Sequence, residues 1–212
     1  MARDEIKEAL GRLDDVTRHL RAECPWDREQ DERTIVPHTV EEAYELADAA
    51  NRGDDAKLLD ELGDVLFQVH FLSLLLEERG AGDLAAVAEH CRQKLIRRHP
   101  HVYGDVAAET AGEVLANWDE IKRAEPGRED GVFGEVPENL PGPLYARKLI
   151  RRARSAGIEE PEPDLHALVA GAADFDSVGD LLFACVALAR RLKVDPELAL
   201  RAAADRFRAA HE

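Results

Sequence analysis

Two short acidic motifs carry the strongest chemical signal in this 212-residue chain. One is E-E-A-Y-E at 41–45 and the other is D-E-L-G-D at 60–64. On a helix, Glu41 and Glu45 stand four apart, Glu42 and Glu45 three apart, and Glu61 and Asp64 three apart, so each set shares a face. A turn of a few residues near 51–55 makes the two helices antiparallel neighbours. Ala43, Ala47 and Gly63 are small enough to permit close approach. Carboxylates that converge between helices are costly unless cations neutralise them. Magnesium takes octahedral oxygen ligands and usually binds substrate phosphates as well, so each set could hold part of a one- or two-Mg²⁺ centre. Singly, the acids have plainer accounts: Glu42 closes a capping box with Thr39, Glu41 suits a helix N-terminus, and Asp60 is surface charge. It is the pairing of the two sets that favours the metal.

Cationic residues could complete such a site. Lys94 and Arg98 are four apart on one expected helix, and Lys122 lies four beyond Trp118 on the next. Lys or Arg on the outer oxygens of a metal-held triphosphate would bind it and stabilise a departing diphosphate. The plainer account of R-R-H at 97–99 is that it complements a helix C-terminus. Trp118 is spaced with Leu115 and Ile121 as a core side chain, whereas Trp26 either stacks on a base or fills the core under its loop. His99 and His101 read as structural, and Cys24 has no neighbour that would make it a nucleophile. Phosphate-loop, dinucleotide-binding and nucleophile-elbow motifs are absent. None of the eight histidines has a Glu three residues before it, which excludes a di-iron bundle.

The elements that must position these residues are helices. Ile6, Leu10, Leu13, Val16 and Leu20 give one apolar face. A loop over residues 23–37 leads to a helix capped by Thr39 and Glu42 that runs to about Gly53. Asp54 and Asp55 open a third, with Leu58, Leu62, Val65, Leu66, Val69 and Leu72 facing inward. Asp83 caps a fourth that runs to Arg98 before Pro100, and Thr110 with Glu113 caps a fifth through Trp118 and Ile121. No alternating Val/Ile-rich run of strand length occurs, so the expected class is all-α, an antiparallel helix bundle. Four of the ten prolines and four glycines fall in 126–143, which reads as a connector. Helical signals resume at Pro143. Asp174 and Asp176 precede another helix, and Asp195-Pro196 starts the last.

LGDVLFQV at 62–69 and VGDLLFAC at 178–185 repeat a G-D-x-L-F core, each followed by a helix that ends in a basic segment. Two tandem related halves are therefore expected: 1–125, a connector at 126–143, and 144–212. The second copy has Ser177 where the first has Glu61.

With 28 Lys+Arg against 44 Asp+Glu, the net charge of −16 disfavours DNA or RNA, whose phosphates need a basic face. At 45% hydrophobic residues the chain is too apolar for an acidic disordered segment. Three scattered cysteines form no C-x-x-C pair and point to a reducing compartment. The charged N-terminus offers no signal-peptide core. The longest apolar stretch, 65–76, falls short of the roughly 20 residues a membrane span needs. A cytoplasmic protein is the expectation.

The chain resembles the MazG family of nucleoside triphosphate pyrophosphohydrolases along most of residues 6–125. The likeness lies in CPWDREQ (24–30), VEEAYEL (40–46), DELGDVLFQV (60–69), KLIRRHPHVYGD (94–105) and VLANWDEIK (114–122). The acidic pairing is shared with dimeric dUTPases and phosphoribosyl-ATP pyrophosphohydrolase, and the last two segments are more specific to MazG. The resemblance implies an all-α homodimer that hydrolyses NTPs to NMP and diphosphate with Mg²⁺, or Mn²⁺ as a substitute, in nucleotide-pool house-cleaning. It implies Glu41, Glu42, Glu45, Glu61 and Asp64 as metal ligands, with Glu42 or Glu45 activating water. It further implies Lys94, Arg98, Trp118 and Lys122 as nucleotide contacts. Residues 144–212 are similar to the C-terminal domain of longer MazG proteins, but lack its E-E-x-x-E motif and end before a W-x-x-x-K segment. That half reads as catalytically degenerate, kept for packing, dimerisation or regulation. The competing expectation is a non-catalytic helical module that senses nucleotide or binds a protein.

Overall fold

The computed structural model describes residues 3–125, 131–134, 136, 137, 139–158 and 163–211. Among these, helices account for all regular structure and no strand occurs, as an all-α chain requires. Packing divides the chain into two compact units, the first ending at Arg97 and the second beginning at Arg98. This division falls earlier than the expected connector, of which residues 126–130, 135 and 138 lie outside the described residues.

The first unit contains α1 (Arg3–Glu23), α2 (Pro25–Glu29), α3 (Glu32–Arg52), α4 (Asp55–Glu78) and α5 (Leu84–Arg97). Its centre is the α3–α4 hairpin, whose two helices pack along their length. Gly53 turns the chain at φ 68°, ψ 30°, and its N–H closes the end of α3 on Ala49 and Ala50. Asp54 then caps α4 by accepting from the Lys57 N–H. A Cβ at Gly53 would meet nothing within 4 Å, so its value lies in the backbone conformation alone. Gly53→Ala is expected to cost about 1 kcal/mol, read from the urea midpoint at unchanged slope. A neutral result would show that the turn tolerates a side chain.

α3 starts seven residues before the expected cap. Asp31, not Thr39, is the N-cap: its carboxylate accepts from Arg33 and Thr34, and the Thr34 hydroxyl accepts in return from the Asp31 N–H. Pro37 sits within the helix and removes one N–H without ending it. Thr39 instead points its hydroxyl at Gln68 of α4, 3.2 Å away. The expected 23–37 loop thus holds α2 and the first turns of α3.

Phe71, fully buried, packs with Ile35 and Leu75 as the core of this unit, with Phe67 and Leu72 against it. Two bidentate ion pairs fasten α1 to the end of α4, Arg18 with Glu77 and Arg21 with Glu78. The inward face of α4 differs from the expected one. Leu58, Val65 and Leu72 are half-buried, but Leu62, Leu66 and Val69 are exposed, at 49%, 37% and 40%. Glu61, Gln68, His70 and Ser73 are buried in their stead. Leu59, Leu62, Leu66 and Val69, spaced three, four and three, thus form an outward apolar seam.

The second unit contains α6 (Pro100–Tyr103), α7 (Ala111–Arg123), α8 (Gly142–Ser155), α9 (Leu165–Gly171), α10 (Phe175–Arg191) and α11 (Pro196–Ala209). The Thr110–Glu113 capping box and the Asp195 cap before Pro196 form as expected. α10 packs against α8, α9 and α11, with Ile150, Val186 and Ala187 as its buried core. Ser177 serves as the reciprocal partner in the capping box of Asp174 at the start of α10. No helix among the described residues is long and apolar enough to cross a membrane.

Candidate metal centre

The hairpin aligns the two acidic motifs across the α3–α4 interface. Glu42, Glu45 and Glu61 each offer a carboxylate oxygen, and these oxygens lie within 4.8 Å of one another. Glu61 is 1% exposed, Glu42 half-buried and Glu45 exposed. Asp64, one turn beyond Glu61, is exposed and beside a shallow groove of about 630 Å³ along the start of α4. Burial pushes the Glu42 carboxyl above its ordinary range, and the negative charges of Asp64, Glu45, Glu61 and Glu41 add to the effect. The other four expected acids thus all act on Glu42. Glu41 is exposed and 3.7 Å from His38 Nδ1.

Lys57 is the participant that the sequence reading missed. Its Nζ pairs with Glu61 Oε1 and lies 3.5 Å from Asp60. The hydrogen bond to Glu61 holds its ammonium above the ordinary lysine range. Its position four residues before Glu61 was a legible i,i+4 signal. One ammonium does not balance this cluster, and Glu61 Oε2 has no hydrogen-bond donor among the described residues. A buried carboxylate left in that state is costly. An all-oxygen set with one member deeply buried suits a hard divalent cation, so the residues present fit Mg²⁺ or Mn²⁺.

The metal-free cluster has a testable pH signature. The raised Glu42 value means that the folded chain holds this proton to higher pH than the unfolded chain, whose carboxyl titrates near 4.5. Its contribution to stability is complete below that value and is lost as pH rises through the raised one. Urea unfolding of EDTA-treated protein from about pH 4 to about pH 7 should show wild type losing stability relative to Glu42→Gln. Parallel curves would mean that neither burial nor the neighbouring charges raise the Glu42 carboxyl.

The expected nucleotide contacts fall in both units. Lys94 is half-buried in the last turn of α5. Arg98 is not on that helix, which ends at Arg97. In the second unit Arg98 is 8% exposed and makes a bidentate pair with Glu125, at 2.9 and 2.5 Å. Its guanidinium lies 5.4 Å from the Trp118 ring centroid, and His99 meets the same ring edge-on at 4.9 Å. Arg98 and Trp118 are thus brought together. Lys122 is half-buried on α7, where its charge helps keep Asp119 ionised. Leu115 is 57% exposed, so the expected α7 core stripe is incomplete. Trp26 is 49% exposed and edge-on to His38, so it does not fill the core.

The model of the MazG nucleotide pyrophosphohydrolase domain matches residues 30–103, which include both acidic motifs. The nucleoside triphosphate pyrophosphohydrolase of Escherichia coli K12 is 38% identical over 203 residues, covering 87% of this chain and 77% of that protein. The chain belongs to the MazG family. The Thermotoga maritima protein named nucleoside triphosphate pyrophosphohydrolase/pyrophosphatase MazG is 37% identical, with 87% and 76% covered. A nucleoside triphosphate pyrophosphohydrolase of Mycobacterium tuberculosis is 33% identical, over 90% of this chain and 58% of that one. Within this MazG chain the α3–α4 acids lie inside the matched segment, whereas Trp118 and Lys122 lie beyond it.

Proposed function

We propose that this MazG chain is a Mg²⁺-dependent nucleoside triphosphate pyrophosphohydrolase that converts NTP and water to NMP and diphosphate. The convergence of Glu42, Glu45 and Glu61 around a buried, under-compensated carboxylate carries the reading, and the names of its relatives support it. Glu42, Glu45 and Glu61 would hold the cation, with Glu41 and Asp64 completing the ligand set. When bound, the cation neutralises triphosphate charge and polarises a phosphoryl oxygen. Glu42 or Glu45 takes a proton from water as its oxygen attacks the α-phosphorus. The bond from that phosphorus to the bridging oxygen breaks and diphosphate departs. Lys57 holds Glu61 in position through their ion pair. Lys94, Arg98, Trp118 and Lys122 are assigned to the nucleotide on motif alone.

The first unit is proposed as the acid-bearing part of a catalytic module spanning 1–125. Residues 144–212 are proposed as a degenerate second half, a reading supported by Ser177, which serves the Asp174 capping box at the place where the repeat would need a ligand. The outward seam of Leu59, Leu62, Leu66 and Val69 supports a homodimer. A cytoplasmic role in clearing nucleotides agrees with the acidic surface. A panel of NTPs with Mg²⁺, run beside an EDTA control, tests the reading. NMP and diphosphate that vanish with EDTA are expected, whereas turnover that survives EDTA would sink the metal assignment.

A further inference from the structure

The second unit has a concave pocket of about 620 Å³ formed by α7, α8 and α10, a size that suits a small-molecule ligand. Arg147, Arg151 and Arg154 of α8 and Arg190 of α10 line it. Four guanidinium groups around one hollow run against the composition of a chain of net charge −16. Among the described residues three carboxylates oppose them: Asp119 and Glu120 in the lining and Asp195, which pairs with Arg147. Arg190 is already engaged, whereas Arg154 pairs with none of these three.

The arrangement is also pre-organised. Arg151 Nη2 donates to Asp119 Oδ1 at 2.5 Å, and Ser155 Oγ donates to Oδ2 at 2.7 Å. Burial opposes ionisation of Asp119, but these two hydrogen bonds outweigh it and hold the carboxyl below its ordinary range. Arg151 is thus fixed in place with further N–H groups to offer, while Arg154 is exposed and makes no ion pair among the described residues. The planar guanidinium fork matches phosphate oxygens. Leu115 and Ala116 add an apolar wall from α7.

We propose that this pocket binds the diphosphate group of a small phosphorylated ligand, either free diphosphate or a nucleoside polyphosphate. It is not a remnant of an acidic site. Asp180, the repeat's counterpart of Asp64, precedes Arg190 by about 15 Å along α10. The pocket lies wholly within the second unit, and its ligand does not depend on whether the α3–α4 acids are catalytic.

Calorimetry on the full chain in EDTA, with inorganic diphosphate, ATP and sulfate as probes, tests this. Diphosphate or ATP should bind the wild type, and Arg154→Glu should weaken binding by at least about tenfold. Because Arg154 holds no structural ion pair, circular dichroism of that variant should match wild type. Glu61→Gln should bind as wild type does, which separates this site from the acidic cluster. ATP binding tighter than diphosphate would identify a nucleotide ligand, and equal affinities would identify the diphosphate group itself. Absence of binding, indifference to Arg154→Glu, or equal affinity for sulfate would overturn the proposal.

Discussion

Glu61→Gln is expected to lower NTP turnover by about a hundred- to a thousandfold while making the metal-free protein more stable by about 1 kcal/mol. The substitution keeps the shape of a side chain that is 1% exposed and removes only its charge. In the metal-free state that charge faces Glu42 and Glu45 and has Lys57 as its ion-pair partner. Lys57 is half exposed, so its ammonium can return to water when the partner is neutralised. Neutralisation therefore relieves repulsion at small cost. With metal the proposed role reverses the sign, because the buried charge would become part of what holds the cation. The two effects are read by kcat/KM with Mg²⁺ and by urea unfolding in EDTA. A variant that is less stable in EDTA yet turns over normally would make Glu61 a structural ion-pair residue.

Phe71→Ala should have the largest effect on stability, about 3–5 kcal/mol. Phe71 has no exposed surface and joins Ile35 of α3 to Leu75 of α4, with its ring 5.8 Å from that of Phe67. The Arg21 guanidinium lies 5.8 Å from the same ring centroid, so the void would also disturb the ion pair that fastens α1. Typical domains are stable by about 5–15 kcal/mol, so this loss would leave much of the protein unfolded near physiological temperature. Urea unfolding checks it directly. A cost below about 1 kcal/mol would mean that the site relaxes and closes, and that the hairpin is held elsewhere.

These two residues also mark what was legible in the sequence. Helix ends set by local chemistry were readable: Asp54, Asp83, Thr110 with Glu113, and Asp195 before Pro196 all act as caps where their types and positions say. The start of α3 was not, because Pro37 and a run of polar residues look like a loop, and the reciprocal Asp31–Thr34 cap lacks the usual Glu or Gln. Periodicity located the apolar stripe of α4 but not the face that points into its own unit. A seam such as Leu59, Leu62, Leu66 and Val69 has the same spacing whether it meets its own core or another surface. The buried polar residues Glu61, Gln68 and His70 then lie where a hydrophobic count expects leucine. The convergence of Glu42, Glu45 and Glu61 was legible because helical spacing and one short turn suffice to bring them together. Arg98 was harder, since its pairing with Glu125 crosses 27 residues of sequence.

Hydrolysis in ¹⁸O-labelled water most directly tests the claim that the α3–α4 acids direct water to the α-phosphorus. With NTP and Mg²⁺, the label should appear in NMP and not in diphosphate, and Glu61→Gln should suppress its incorporation. Label in diphosphate, or formation of NDP and labelled phosphate, would contradict the account.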